Sequence, residues 1–373
     1  MTKDNALTTL WQNFPLKTGH TIVNVLMLAL PAALVAHWFI HPGAIIEFCL
    51  AALAIIPLAG AMGEATEDLA SHLGDRAGGL LNATMGNAAE LIIGFFALRA
   101  GHVEIVKASI SGSIIGNILL VFGISIIAGG LKRPKQTFSR QDAAVNSTML
   151  FIGAVALIMP AVFDLSVFGS LREGVVVERL SLWTSGILIA VYASSMIFTF
   201  RGGPAAPHRE PGAHVRSAKA ATVALVASTV AVAYMSELLV GEIEAFKQGL
   251  GLSDLFIGVV VIAVIGNAAE HSSAILMAMK DKMNVAVNIA AGASSQIALL
   301  VAPLLVFISL FTQKRMSLVF TGMEIAGIAL AVIVLEMIAY DGETNWFEGV
   351  ELVAVYLILA IAFFFVPAGF GGH

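Results

Sequence analysis

The sequence predicts an all-α polytopic membrane protein: eleven transmembrane helices, with one extra N-terminal helix followed by two inverted five-helix repeats. Three observations carry this. The 373 residues are 58% hydrophobic and only 12% charged, with a mean hydropathy of +0.90, where soluble domains run near a quarter charged. Apolar runs of about 20 residues, the length of a bilayer-spanning helix, recur along the whole chain. One hexapeptide pattern occurs twice, as MGNAAE at 85–90 and IGNAAE at 265–270, 180 positions apart.

The apolar runs fall at 21–40, 44–73, 78–99, 103–130, 142–163, 174–200, 217–240, 252–279, 284–311, 317–340 and 347–367. None has the alternating ten-residue pattern of an outer-membrane barrel. The longest polar break, RGGPAAPHREPGAHVR at 201–216, is rich in proline and glycine and reads as a cytoplasmic linker. The chain thus divides into a tail and first helix at 1–43, a first repeat at 44–200, the linker, and a second repeat at 217–373. With the N-terminus cytoplasmic, thirteen of the 20 Lys and Arg residues fall inside and seven outside, Arg99 and Lys107 among the latter. That bias supports N-in and C-out. Trp38, Trp183 and Trp346 sit near span ends, as interfacial anchors do. The single cysteine, Cys49, excludes an intramolecular disulfide framework. The net charge of −5 is small and dispersed and gives no reason to expect a nucleic-acid partner. No secretory signal pattern stands out. A homo-oligomer is compatible with the sequence, and the lipid bilayer is the one partner it demands.

The repeat extends beyond the hexapeptide. At the same offset Gly112 meets Gly292, and Leu119-Leu120-Val121 meets Leu299-Leu300-Val301, without a gap. The third span runs inward to outward and the eighth the reverse, so the two units are inverted. Secondary transporters often follow this plan, with the site near the midplane where the repeats meet.

Glu90 and Glu270 lie deep in apolar runs, where an acidic residue costs roughly 2.5–3.5 kcal/mol on insertion scales. Asn87 and Asn267 stand three residues earlier, on the same helix face. Gly86 and Gly266 allow close approach or a break that frees carbonyl oxygens. Two halves together offer an oxygen cage with a charge of −2, extended by Ser113, Ser294, Ser295 and Gln296. Such a cage suits calcium, which takes 6–8 oxygens in flexible geometry, better than magnesium. Left empty, it disfavours two ionised carboxylates, so protons compete for the same oxygens. A site holding one divalent ion or about two protons, with alternating access, would work as an exchanger. Calcium would be the substrate; no cofactor and no catalytic residue is expected.

Other polar residues are placed along the route. Glu64, Asp68 and His72 form a stripe at the inner end of the second span, and Glu67 and Glu237 are candidates for the access path. His271 follows Glu270 and titrates near neutrality. Glu324 and Glu336 read as helix–helix contacts at the periphery.

Six ordered blocks resemble one family: GEATEDLA (63–70), GGLLNATMGNAAELIIG (78–94), SISGSIIGNILLVFG (109–123), VIGNAAEHSSAILMAMKDKM (264–283), NIAAGASSQIALLVAP (288–303) and DGETNWFEGVELVAVY (341–356). The sequence resembles the calcium/proton exchangers, the cation-exchanger branch of the calcium/cation antiporter superfamily. The resemblance implies eleven helices and proton-driven calcium transport. It implies that Glu90 and Glu270 bind calcium and exchange protons, and that Asn87, Asn267, Ser113 and Gln296 line the ion pathway. Glu67 and Glu237 match acidic residues of the access cavities, and His271 a histidine tied to proton coupling. Two departures stand out. The linker is net basic, where several members carry an acidic segment, and Gly116 stands where serine is common. A regulatory calcium site in the linker is therefore not expected.

An enzyme is disfavoured, because no Gly-x-Ser-x-Gly, Walker or His-Glu-x-x-His pattern occurs. A channel is disfavoured, because its site usually forms from subunits around one axis. Sodium/calcium exchange is the nearer alternative. The short loops suggest a prokaryotic plasma membrane.

Overall fold

The computed structural model describes residues 25–131, 133–169, 174–201 and 215–367. The chain is helical almost throughout. The first helix, α1 (Ala29–Ile40), ends in a π-helical turn with His41 left-handed. A continuous helical stretch from Ala44 to Met85 is divided at Gly74, whose φ of 76° and ψ of 170° break it into α2 (Ala44–Gly74) and α3 (75–85). Only glycine adopts that conformation without strain. There follow α4 (Ala88–Arg99), α5 (Val103–Gly130), α6 (Arg140–Phe168) and α7 (Val175–Arg201). The second half holds α8 (Ala218–Gly241), the short α9 (Ile243–Leu250), α10 (Asp254–Gly266), α11 (Ala268–Met279), α12 (Met283–Ser309), α13 (Gly322–Ala339) and α14 (Trp346–Phe364).

Eight of these, α2, α5 to α8 and α12 to α14, are long and apolar enough to cross a membrane by length and composition. The third and eighth expected spans are not continuous helices. Each is broken at its asparagine, into α3 with α4 and α10 with α11. The helix starts keep the offset of the repeat, Ala88 against Ala268 and Val103 against Met283. The bulk of the expected linker, 202–214, lies outside the described residues.

Burial sorts the helices into two classes. The apolar windows of α5 and α12 are 83% and 72% buried, against 22–44% for the other six. These two run through the middle, and the rest turn one face outward, as lipid-facing helices do. Small residues permit the central packing: Gly112 of α5 lies against the main chain of Val259 in α10, and Gly258 against Ser109. Side chains cap the polar helix starts, Ser139 for α6, Ser217 for α8, Ser253 for α10 and Asn345 for α14. A two-stranded antiparallel ribbon, β1 (Gln136–Thr137) with β2 (Glu343–Thr344), ties the loop before α6 to the loop before α14.

One expectation about charge is refined and one corrected. Lys107, counted on the outside, lies within the expected run at 103–130, one turn into α5. It is 4% exposed within α5, paired with Glu104 at 2.8 Å and donating to the Val319 carbonyl at 3.2 Å. Glu324 is not peripheral. It is buried at the start of α13, where it completes a capping box with Thr321 and accepts from Ser111 at 2.9 Å. Helix geometry explains both: Glu104 stands three residues before Lys107 on the same face, and an acid three residues into a helix, as Glu324 is, satisfies its first amides. Glu336 is exposed on α13.

Candidate ion-binding site at the two helix breaks

Each GNAAE motif interrupts a helix at its asparagine. Asn87 has φ −100° and ψ 23°, Asn267 φ −93° and ψ 4°, both in the bridge region typical of active-site residues. Glu90 and Glu270 then occupy the first turns of α4 and α11. There the partial positive charge of a helix N-terminus favours a carboxylate.

The two motifs meet crosswise. A Cβ on Gly266 would lie 3.2 Å from Glu90 Cγ, and one on Gly86 would lie 4.0 Å from Glu270 Oε1. Each glutamate thus packs on the other motif's glycine. Both carboxylate oxygens of Glu90, Oε2 of Glu270 and Oδ1 of Asn87 are buried without a hydrogen-bond partner. Buried oxygens without donors are costly and point to a ligand.

The remaining expected residues frame this centre. Asn87 Nδ2 donates to Gln296 Oε1 at 2.6 Å. Asn267 Nδ2 donates to Ser113 Oγ and to the Ala263 carbonyl, each at 2.8 Å. The Asn267 oxygen accepts from Asn117 Nδ2 at 3.3 Å, and Asn117 Oδ1 accepts from His271 Nε2 at 3.0 Å. So Glu90, Glu270, Asn87, Asn267, Ser113, Gln296 and His271 come together. Glu67 and Glu237 do not join them. Both are exposed, and Glu237 lies 3.8 Å from Arg99. Asn117 is the member that sequence reading missed. Its signal was there: a lone amide one turn after Ser113 in an otherwise apolar stretch.

The surroundings are unequal. Asn82 and Gly86 are exposed, while Ile262 and Gly266, at the matching positions, are buried. On the Gly266 side a cavity of about 10 Å³, room for roughly one water, is lined by Glu90, Ser109, Ser113, Ile262 and Leu305 among others. Among the described residues no group of three or more His, Cys, Asp and Glu side chains is placed to hold a metal ion. The donors at the centre are carboxylate and amide oxygens. That set fits a hard cation and lacks the sulfur or clustered imidazole a soft metal prefers.

Comparison with known proteins agrees with this architecture. The sodium/calcium exchanger protein family matches residues 43–201 and 220–365. The calcium/proton antiporter ChaA of Bacillus subtilis is 46% identical over 336 residues, 88% of this chain and 93% of the relative. A calcium/proton antiporter of Synechocystis is 40% identical over 372 residues, 94% of this chain and 99% of the relative. The solved structure of native YfkE superposes with a TM-score of 0.80 at 42% identity, covering 92% of this chain and 100% of that one. The proton/calcium exchanger CAX shares the fold, with a TM-score of 0.72 at 14% identity over 92% of this chain and 91% of that one. With both halves matched, this multi-pass membrane chain belongs to the sodium/calcium exchanger protein family.

Proposed function

We propose that the chain is a secondary active antiporter that exchanges calcium for protons by alternating access. The ion is held between Glu90 and Glu270. One observation carries the reading: two glutamates from matched motifs, each packed on the other's glycine, with buried carboxylate oxygens that nothing satisfies. The names of the relatives in Bacillus subtilis and Synechocystis support the same pairing of substrates.

The mechanism follows from charge. A divalent cation cancels the charge of −2 on two ionised carboxylates. Without the ion, two buried like charges repel in a low-dielectric site, and each must take up a proton before the empty carrier can reorient. One calcium against about two protons keeps the centre near neutral in both directions. Asn87 offers its free amide oxygen to the ion, and Asn267, Ser113 and Gln296 hold the breaks in place. Glu67 and Glu237 gather cations at the two mouths, and His271 assists proton movement.

The topology belongs to the same proposal. Eleven spans are counted with α3–α4 and α10–α11 as one each. The last ten form two inverted units joined by a cytoplasmic linker, and the N-terminus is cytoplasmic. A prokaryotic plasma membrane fits the short loops.

The test is calcium uptake into sodium-free proteoliposomes driven by an imposed pH gradient, for wild type and Glu270→Gln. Wild type is expected to transport and the variant not. Uptake that depends on sodium would favour sodium/calcium exchange instead. Transport by the variant at the wild-type rate would remove the glutamate pair from the mechanism.

A further inference from the structure

The two helix breaks are alike in backbone and unlike in how they are held. Among the described residues, the first is held by one side-chain bond of its asparagine, Asn87 to Gln296 at 2.6 Å. The second is fixed by three: Asn267 to Ser113 and to the Ala263 carbonyl, and Asn117 to the Asn267 oxygen. Asn117 is 1% exposed in the π-helical turn Gly116–Val121 of α5. Because its Nδ2 donates to Asn267, its oxygen faces His271 and accepts from the Nε2–H there. His271 therefore fixes the orientation of the amide that fixes Asn267.

The first half has no equivalent. Positions 180 residues away from Asn117, His271 and Ser113 hold Ile297, Leu91 and Ala293, so no mirror image of the bridge can form around Asn87. The exposure follows the same division. The tightly held break has Ile262 and Gly266 buried, and the loosely held one has Asn82 and Gly86 exposed.

We infer that Asn117 is a positioning residue that pins the second break to α5, and that this one-sided bridge biases the carrier toward the conformation in which the first break is open. The inference rests on the alternating-access reading above. If the repeats exchange conformations, the opposite state must loosen the second break and tighten the first. Loosening breaks the Asn117 bridge, and tightening the first break forms no matching bridge, because Leu91 and Ile297 cannot hydrogen-bond. The two states are therefore unequal before any ion binds, and Asn117 holds much of the difference.

The bias is measured by thiol labelling of matched positions in detergent, where both faces meet the reagent. Single cysteines are placed by Asn82→Cys or Ile262→Cys in a Cys49→Ala background, Cys49 being the chain's one cysteine. In otherwise wild-type protein, position 82 is expected to label fast and position 262 slowly. Asn117→Leu is expected to raise the ratio of labelling at 262 over 82 by roughly tenfold, the effect of losing two ordinary hydrogen bonds. His271→Leu should raise it less, and the double variant Leu91→His with Ile297→Asn, which installs the bridge on the other side, should raise it as well. Thermal melting of each variant confirms folding. If Asn117→Leu does not fold, His271→Leu and the mirror pair decide. An unchanged or lower ratio in the folded variants would overturn the inference. Labelling does not depend on the cargo. A shifted ratio alongside absent pH-driven calcium uptake would sink the transport reading and leave the role of Asn117 standing.

Discussion

The crossing of α5 over α10 sets a test of how tightly the site is built. A Cβ added at Gly112 would stand 2.7 Å from the carbonyl carbon of Val259, and closer still to its oxygen and Cα. Ordinary carbon–carbon contact lies near 3.5–4.0 Å, so Gly112→Ala must part the helices by roughly 1 Å. The obstacle is main chain, which cannot rotate away. Overpacking of this kind costs about 1–3 kcal/mol, against a helix-propensity gain of at most about 1 kcal/mol. The matched position offers the control, because a Cβ on Gly292 would meet nothing within 4 Å. Gly292→Ala should therefore be neutral or slightly stabilising. Thermal unfolding in detergent should place Gly112→Ala below Gly292→Ala by about 1–3 kcal/mol, or roughly 1–4 °C for a chain of this length. Equal melting temperatures for the two variants would refute the argument from close approach. If the repeats also exchange conformations, Gly292 becomes the crowded position in the opposite state. The same Gly292→Ala protein would then melt normally and transport slowly.

Two more outcomes follow from polar groups away from the centre. Lys107→Met removes the cation that pairs with Glu104 and leaves the Val319 carbonyl without its donor, inside a buried contact between α5 and the loop before α13. Because Glu104 is a third exposed, the loss should fall at the low end for buried pairs, about 3 kcal/mol, read as a lower midpoint in thermal unfolding. His102 stands partly buried just before α5, where burial pushes its imidazole below the ordinary range against the opposing pull of Asp254 and Glu244. The folded chain then binds this proton less readily than the unfolded one. Stability is complete above the ordinary histidine value near 6.5 and declines as pH falls through it. His102→Gln should flatten the dependence of the melting temperature on pH between about 7.5 and 5.

Much of this architecture was legible in the sequence, for identifiable reasons. Hydropathy alone places the long helices, because a bilayer imposes length and apolarity on every crossing. The offset of 180 survives in helix starts such as Ala88 and Ala268, since the duplicated glycines and asparagines impose the same break twice. What composition could not show is which polar residues find each other. The burial of Lys107 was not legible, because its i−3 partner Glu104 is local but the Val319 carbonyl that also meets it lies 212 positions away. Glu324 looked peripheral because its partner Ser111 lies 213 positions away. Asn117 was passed over because its partners, Asn267 and His271, belong to the other repeat. Periodicity reports contacts along one helix and is silent about contacts between helices distant in sequence.

The same distinction separates backbone from side chain at the site itself. Inversion of one unit onto another yields two equal breaks, two equal glutamates and, by itself, two states of equal free energy. A carrier so balanced would leave its direction of rest to the ion gradients alone. In the proposed exchanger the duplicated residues are those the chemistry would need on both sides, namely the glycine, asparagine and glutamate of each motif. The residues that differ, Asn117 against Ile297 and His271 against Leu91, are those the inference above assigns to holding the second break. On that proposal, symmetry in the first set would let the cation see equivalent carboxylates from either side, and asymmetry in the second would let one side be preferred without altering the carboxylates at all.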